Sequence, residues 1–261
     1  MTARDKLCSA IEAVGSYLCI GIDLHTRYLR RLPTEEIVGW LEPVIDIGAK
    51  HCIAYKINLA FIEALGLHGW SVLEHVVRMI PDDRLLILDG KRGDIGSTAE
   101  AYAASAFDIY HADAVTVNPY MGYDVLEPFV AYREKLAFVL ALTSNDGARD
   151  VQFLDCDGRP LYMRVVESLQ AMPYSSQIGF VVGATHPEQL AEVRRVVGRT
   201  CPLLIPGISL QGGSSDAVIA ANEGGLAVIN VSRGIFDPYA ADGINGLRQA
   251  VIQFNKHLAT A

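Results

Sequence analysis

The 261-residue sequence has no apolar run longer than the seven residues Leu136 to Leu142, far short of the roughly 20 that cross a bilayer, so no membrane span is expected. It lacks an excess of basic residues. Against 30 Asp and Glu stand 22 Lys and Arg, a formal net charge of −8, which argues against nucleic acid or an anionic membrane as the main partner. The five cysteines (Cys8, Cys19, Cys52, Cys156 and Cys201) are odd in number and form no CxxC pair, which argues for reduced thiols and against a disulfide framework or zinc site. Near the N-terminus Glu12 interrupts the partly apolar stretch after Arg4 and Lys6, and no small-residue cleavage site follows. That argues against a secretory leader and for a cytoplasmic protein. No GxGxxG follows the first apolar run, and no low-complexity linker divides the chain.

What is present is a core-forming composition, 51% hydrophobic and 20% charged, which excludes disorder as the dominant state. Short β-branched or apolar runs read as strands at Tyr17 to Asp23, Cys52 to Ile57, Leu85 to Asp89, Ala114 to Val117, Ala137 to Leu142, Ile178 to Val182, Leu203 to Ile205 and Leu226 to Val231. Stretches of helical spacing follow them, such as Ile37, Leu41, Val44 and Ile45, or Val72, Val76, Val77 and Ile80. Ser97 and Thr98 read as residues that precede and mark the start of an Ala-rich helix running to Tyr110, and Pro187 with Glu188 as the opening of another toward Val197. Eight repeats of strand then helix predict a single-domain (β/α)8 TIM barrel over residues 1–261, at a length close to the roughly 250 residues usual for that fold.

In such a barrel the chemistry sits just past the C-terminal ends of the strands. Those positions hold Asp23, Lys56 and Asn58, Asp89 with Lys91 and Asp94, Asn118, Thr143 to Asn145, Pro206 with Gly207, and Ser232 with Arg233. The densest segment is Asp89-Gly90-Lys91-Arg92-Gly93-Asp94. If the strand persists, Asp89 and Lys91 point to one face, within reach of Lys56 on the neighbouring strand. A lysine between two carboxylates is held as the ammonium, poised to donate a proton and unsuited to Schiff-base chemistry. A surface salt-bridge cluster and a Mg²⁺ site on Asp89 and Asp94 are the alternatives. The glycine-rich loops Pro206 to Gly213 and Ser232 to Gly234 follow the last two strands, where barrels often bind phosphate, with Arg233 as the cation. The long polar stretch Thr143 to Arg159 reads as a candidate lid. His25 is read as a solvated or core histidine without a role.

The run Asp89 to Tyr102 (DGKRGDIGSTAEAY) resembles the catalytic motif of the orotidine 5′-phosphate decarboxylase family, in its bacterial subgroup with longer chains. Also similar to that subgroup are Tyr55 to Gly66 (YKINLAFIEALG), Leu142 to Asn145, Val182 to Thr185, Pro206 to Gly213 and Ser232 to Gly234, all in family order. The resemblance implies decarboxylation of orotidine 5′-monophosphate to UMP, the last step of de novo pyrimidine synthesis, without metal or organic cofactor. It implies that Asp23 and Lys56 hold the ribose hydroxyls, that Asp89 lies beside the departing carboxylate, and that Lys91 protonates C6. Asp94, with Thr98 alongside, would reach into the site of a second subunit, making a homodimer with shared sites. Ser144 would contact the pyrimidine amide, and Gln211 and Arg233 the phosphate. Gly90, Asp146 and the filling Ile208-Ser209-Leu210 depart from the usual subgroup pattern. The rivals are a Mg²⁺-dependent 3-keto-L-gulonate 6-phosphate decarboxylase and a non-catalytic UMP-binding barrel. The Ser144 and Gln211 segments favour the pyrimidine reading over the first, and the Asp89, Lys91 and Asp94 set speaks against the second.

Overall fold

A computed structural model describes residues 1–25, 29, 32–208 and 214–260. Strands β1 (Leu18–Ile22), β2 (Ala54–Asn58), β3 (Leu85–Arg92), β4 (Ala114–Val117) and β5 (Leu136–Leu142) are joined by β8 (Ile178–Val182), β9 (Leu203–Pro206) and β10 (Ala227–Val231). All pair in parallel and close in the order β1-β10-β9-β8-β5-β4-β3-β2. The expected (β/α)8 barrel is therefore observed. The bounds of β4 and β8 match the sequence reading residue for residue, while β3 runs on to Arg92.

The strands form where they do because each is buried on both faces. Outward-pointing Ile20, Ile22, Tyr55, Ile57, Leu86, Leu88, Val115 and Val117 pack beneath the surrounding helices. Inward-pointing Cys19, Ala54, Ile87, Ala114, Phe138, Val181, Leu204 and Val228 fill the lower half of the barrel. One step further along the strands the inward layer turns polar, with Lys56, Asp89, Thr116 and Asn230 all buried. A period of two thus places an apolar floor under a charged mouth.

Three expectations are corrected. First, not every helix follows a strand: Ala3–Val14 precedes β1 and closes the bottom of the barrel. Thr2 and Asp5 form a capping box at its start, and Leu7 and Ala10 join the barrel-floor cluster. Lys6 Nζ reaches Asp113 Oδ2 at 2.7 Å, and the Ala3 N–H donates to the Glu134 carbonyl at 2.7 Å. Second, the helix after β3 spans Gly96–Ala104, so Ser97 and Thr98 lie inside its first turn rather than ahead of it. The N-cap position is Ile95, which provides no side-chain cap, and Ser105–Ile109 continues as a π-helix. Third, the stretch from Thr143 to Arg159 carries a short helix, Ala148–Val151, and the hairpin strands β6 (Asp155–Cys156) and β7 (Arg159–Pro160).

The helices Pro187–Val197 and Ser214–Asn222 are tied to the loops at the N-terminal side of the barrel by Arg194, which is 1% exposed. Its guanidinium donates to Asn222 Oδ1 and to the carbonyls of Gly198, Cys201 and Leu226, at 2.6 to 3.2 Å. Burial lowers its pKa to about 10, so it stays charged at neutral pH. Among the described residues no helix is long and apolar enough to cross a membrane.

Candidate active site

A cleft of about 990 Å³ opens at the C-terminal end of the barrel. Of the expected site residues, Asp23, Lys56, Asp89, Lys91, Ser144 and Arg233 all line it. Gln211 lies outside the described residues. Asp94 and Thr98 do not line the cleft of their own chain; Asp94 Oδ1 accepts from the Ile95 N–H at 2.8 Å, and Thr98 is exposed.

The floor centres on the Asp89 carboxylate. Its Oδ2 accepts from Lys56 Nζ at 2.8 Å, and its Oδ1 accepts from Lys91 Nζ at 2.7 Å and from Thr116 Oγ1 at 2.8 Å. Burial alone would raise the Asp89 pKa, but the two ammonium groups and their hydrogen bonds pull it well below the usual carboxylate range. For Lys56 burial works against the charge and is overcome by Asp89 and Asp23, leaving its pKa raised. The side chains of Asp89 and Lys56 are 9% and 4% exposed, whereas that of Lys91 is 47% exposed and so is the part of the network open to a ligand.

Lys91 meets Asp89 by a route that simple alternation does not supply. Its φ is +46°, in the left-handed region, and the β3–β4 register shifts between Leu88 and Arg92. The strand bulges, the Lys91 N–H leaves the ladder, and it donates instead to Thr116 Oγ1 at 2.8 Å. Gly90, beside it, would bring a Cβ to 2.9 Å from Arg92 Nε and 3.0 Å from Leu59 Cδ1, against side-chain ends only.

Asp23 offers an open acceptor: its Oδ1 is buried with no hydrogen-bond partner among the described residues. On the wall after β5, Gln152 clamps Thr143, accepting from its N–H and donating to its Oγ1, both at 2.8 Å. Thr143 Oγ1 in turn donates to Asn145 Oδ1 at 2.7 Å, which fixes the segment around Ser144. Gly183 lets β8 approach that segment, since a Cβ there would lie 2.8 Å from the Ser144 backbone. Opposite, Ser232 and Arg233 open the helix Arg233–His257, whose N-terminal end faces the cleft. Free N–H groups, the helix dipole and a guanidinium together suit an anion.

Thr116, Asn230 and Gln152 were missed in the sequence. Thr116 had a visible signal, the one hydroxyl in Ala114 to Val117, but a threonine in a strand ordinarily reports β propensity. His25, given no role, also lines the cleft, with its ring centroid 4.8 Å from that of Phe61. Among the described residues no three His, Cys, Asp or Glu side chains converge as a metal site.

Chains of similar sequence and fold are known. A Roseiflexus sp. (strain RS-1) protein named orotidine 5′-phosphate decarboxylase is 44% identical over 94% of this chain and 92% of its own. One of the same name from Cupriavidus necator is 42% identical over 90% of this chain and 89% of its own. The solved structure of Leishmania donovani OMP decarboxylase superposes with a TM-score of 0.84 at 38% identity, covering 98% of both chains. The family profile matches residues 16–241, from the entry of β1 to beyond Arg233, and so takes in every strand of the barrel and the whole Asp89–Lys91 segment. By that match and these identities the chain belongs to the orotidine 5′-phosphate decarboxylase / HUMPS family.

Proposed function

We propose that the protein decarboxylates orotidine 5′-monophosphate to UMP and CO2, the last step of de novo pyrimidine synthesis, with Lys91 as the proton donor. The observation that carries this reading is the Asp89 carboxylate, bound between Lys56 at 2.8 Å and Lys91 at 2.7 Å on the floor of the cleft. The names of the relatives point the same way. In the reaction the bond from C6 to the carboxylate carbon breaks, its electron pair stays on C6, and CO2 leaves neutral. The Lys91 ammonium passes a proton to C6 and regains one from solvent. A fixed cation beside C6 favours the developing carbanion more than the ground state, which is the condition for acceleration. Lys56, wholly enclosed and locked to Asp89, holds the carboxylate in place and keeps the site charged.

The rest of the cleft suits the nucleotide. The unpartnered Oδ1 of Asp23 matches a ribose hydroxyl donor, and Ser144, which lines the cleft on the clamped wall, is assigned to the pyrimidine amide. Arg233 and the helix start around it suit the phosphate, to which the family resemblance also assigns Gln211. Asp94 and Thr98, outside their own cleft, are assigned to that of a second copy. Exposed Ile95, next to Asp94, and exposed Tyr120 and Met121, in the turn after the neighbouring strand β4, supply apolar surface for that contact.

The test follows the ultraviolet absorbance of orotidine 5′-monophosphate with the purified protein in excess EDTA. Loss of substrate with UMP formed is expected. No loss with EDTA, but turnover of a sugar phosphate on adding Mg²⁺, would place the chain on the metal-dependent side of its family; UMP binding without turnover under either condition would make it a binding protein.

Arg233→Ala is expected to raise KM by about tenfold to a hundredfold, the weight of a charge-assisted contact to phosphate, with a smaller change in kcat. Steady-state kinetics decide it, and an unchanged KM refutes the phosphate assignment.

A further inference from the structure

We infer that Thr116 is a positioning residue for the proton transfer, and that its hydroxyl holds the Lys91 backbone and the Asp89 carboxylate as one rigid unit. The inference rests on the decarboxylase reading above and adds a residue that the family resemblance did not supply.

Thr116 sits in mid-strand on β4 and is 1% exposed. A hydroxyl has one proton to donate and lone pairs to accept. The Lys91 N–H can only donate, so at 2.8 Å the Thr116 oxygen accepts there, and its own proton must point to Asp89 Oδ1, also at 2.8 Å. The direction of both bonds is therefore fixed. The first bond supports a backbone conformation, φ +46°, that L residues rarely adopt and that the bulge leaves without a ladder partner. Pairing resumes one residue later, where the Asn118 N–H donates to the Arg92 carbonyl at 2.8 Å. The second bond holds the same oxygen of Asp89 that receives Lys91 Nζ at 2.7 Å. Both ends of the reacting lysine, its main chain and its ammonium, are thus referred to one buried oxygen atom.

Removing that oxygen frees the bulge to relax and the carboxylate to rotate, which moves the ammonium relative to C6. The phosphate end should not notice, because β4 lies four places from β10 in the closed ring of eight strands, directly across the barrel.

Thr116→Val keeps the shape and deletes the hydroxyl; Thr116→Ser keeps the hydroxyl and deletes the methyl. For the valine variant kcat is expected to fall by about tenfold to a hundredfold, the effect of losing hydrogen bonds to a charged pair and misplacing a reacting group. KM and the affinity for UMP, measured by calorimetry, should stay within about threefold, and the serine variant should recover most of the lost kcat. A valine variant with near-native kcat overturns the proposal. So does a loss of kcat that serine fails to restore, since the methyl rather than the hydroxyl would then be at work. A folded wild-type protein that binds UMP but turns over no orotidine 5′-monophosphate overturns the parent reading and this proposal together, and that result is distinct from failure of Thr116 alone.

Discussion

Lys91→Ala is expected to yield a folded protein that binds UMP and has lost turnover by about 10⁴-fold or more, because the proposed mechanism draws both the proton and the field that stabilises the carbanion from this one residue. The fold should survive, since the Lys91 side chain is 47% exposed and packs into no core. Asp89 keeps Lys56 and Thr116 as donors in the variant, so its carboxylate remains compensated. Single-turnover decay of substrate absorbance, with UMP affinity measured alongside, separates lost chemistry from lost binding. Turnover within about tenfold of native would remove Lys91 from the proton-donor role. The same variant tests the shared site. Mixed in equal amounts with an inactive Asp94→Ala protein and allowed to exchange subunits, it should regain about a quarter of native activity, because half the dimers are hybrids and each hybrid rebuilds one intact site of two. A mixture as inactive as its components would assign Asp94 elsewhere.

Arg194→Met carries the largest expected cost in stability. Methionine fills much of the volume, but the carbonyl of Cys201 and the Oδ1 of Asn222 lose a donor where they are buried, and the part-buried carbonyls of Gly198 and Leu226 lose theirs. None of these acceptors is a carboxylate, so no buried charge is left behind; the cost is that of unsatisfied dipoles. At about 1 to 3 kcal/mol for each of the two buried acceptors, Cys201 and Asn222, with water able to reach the other two, the total is about 4 kcal/mol. That corresponds to a fall of roughly 10 °C in Tm for a chain of this size. Arg194→Lys should recover little, since one ammonium cannot serve acceptors spread over four residues as the planar guanidinium does. A Met variant that melts within about 2 °C of the native protein would mean the loops close without this tie.

The two residues mark the limits of what the sequence made legible. The barrel strands stood out because each is apolar on both faces and bounded by polar residues, so an error of one or two positions changes little. Lys91 was found through its neighbours in the chain. Its left-handed φ was not, because alternation along a strand carries no trace of a bulge, and the right meeting of Asp89 with Lys91 was reached from a regular strand that the structure does not contain. Arg194 leaves no mark in the sequence: arginine on an amphipathic helix ordinarily faces solvent, and only the folded loops show which acceptors it serves. The helix Ala3–Val14 was missed for a related reason. Its buried face rests on Ala3, Leu7 and Ala10, too small a stripe to announce itself before the barrel floor it covers is known.

That helix also sets a timetable for synthesis. It leaves the ribosome ahead of every barrel strand, yet Lys6 must wait for Asp113, 107 residues later, before its ion pair can form. At about 5 to 20 residues per second the delay is roughly 5 to 20 seconds. Through that interval Leu7 and Ala10 have no barrel to cover, and the open end of the growing sheet has no cover of its own. The wait does not end with Asp113, since Phe138, Val181, Leu204 and Val228 complete the floor that the helix covers, and until they follow its apolar stripe stays open to other surfaces.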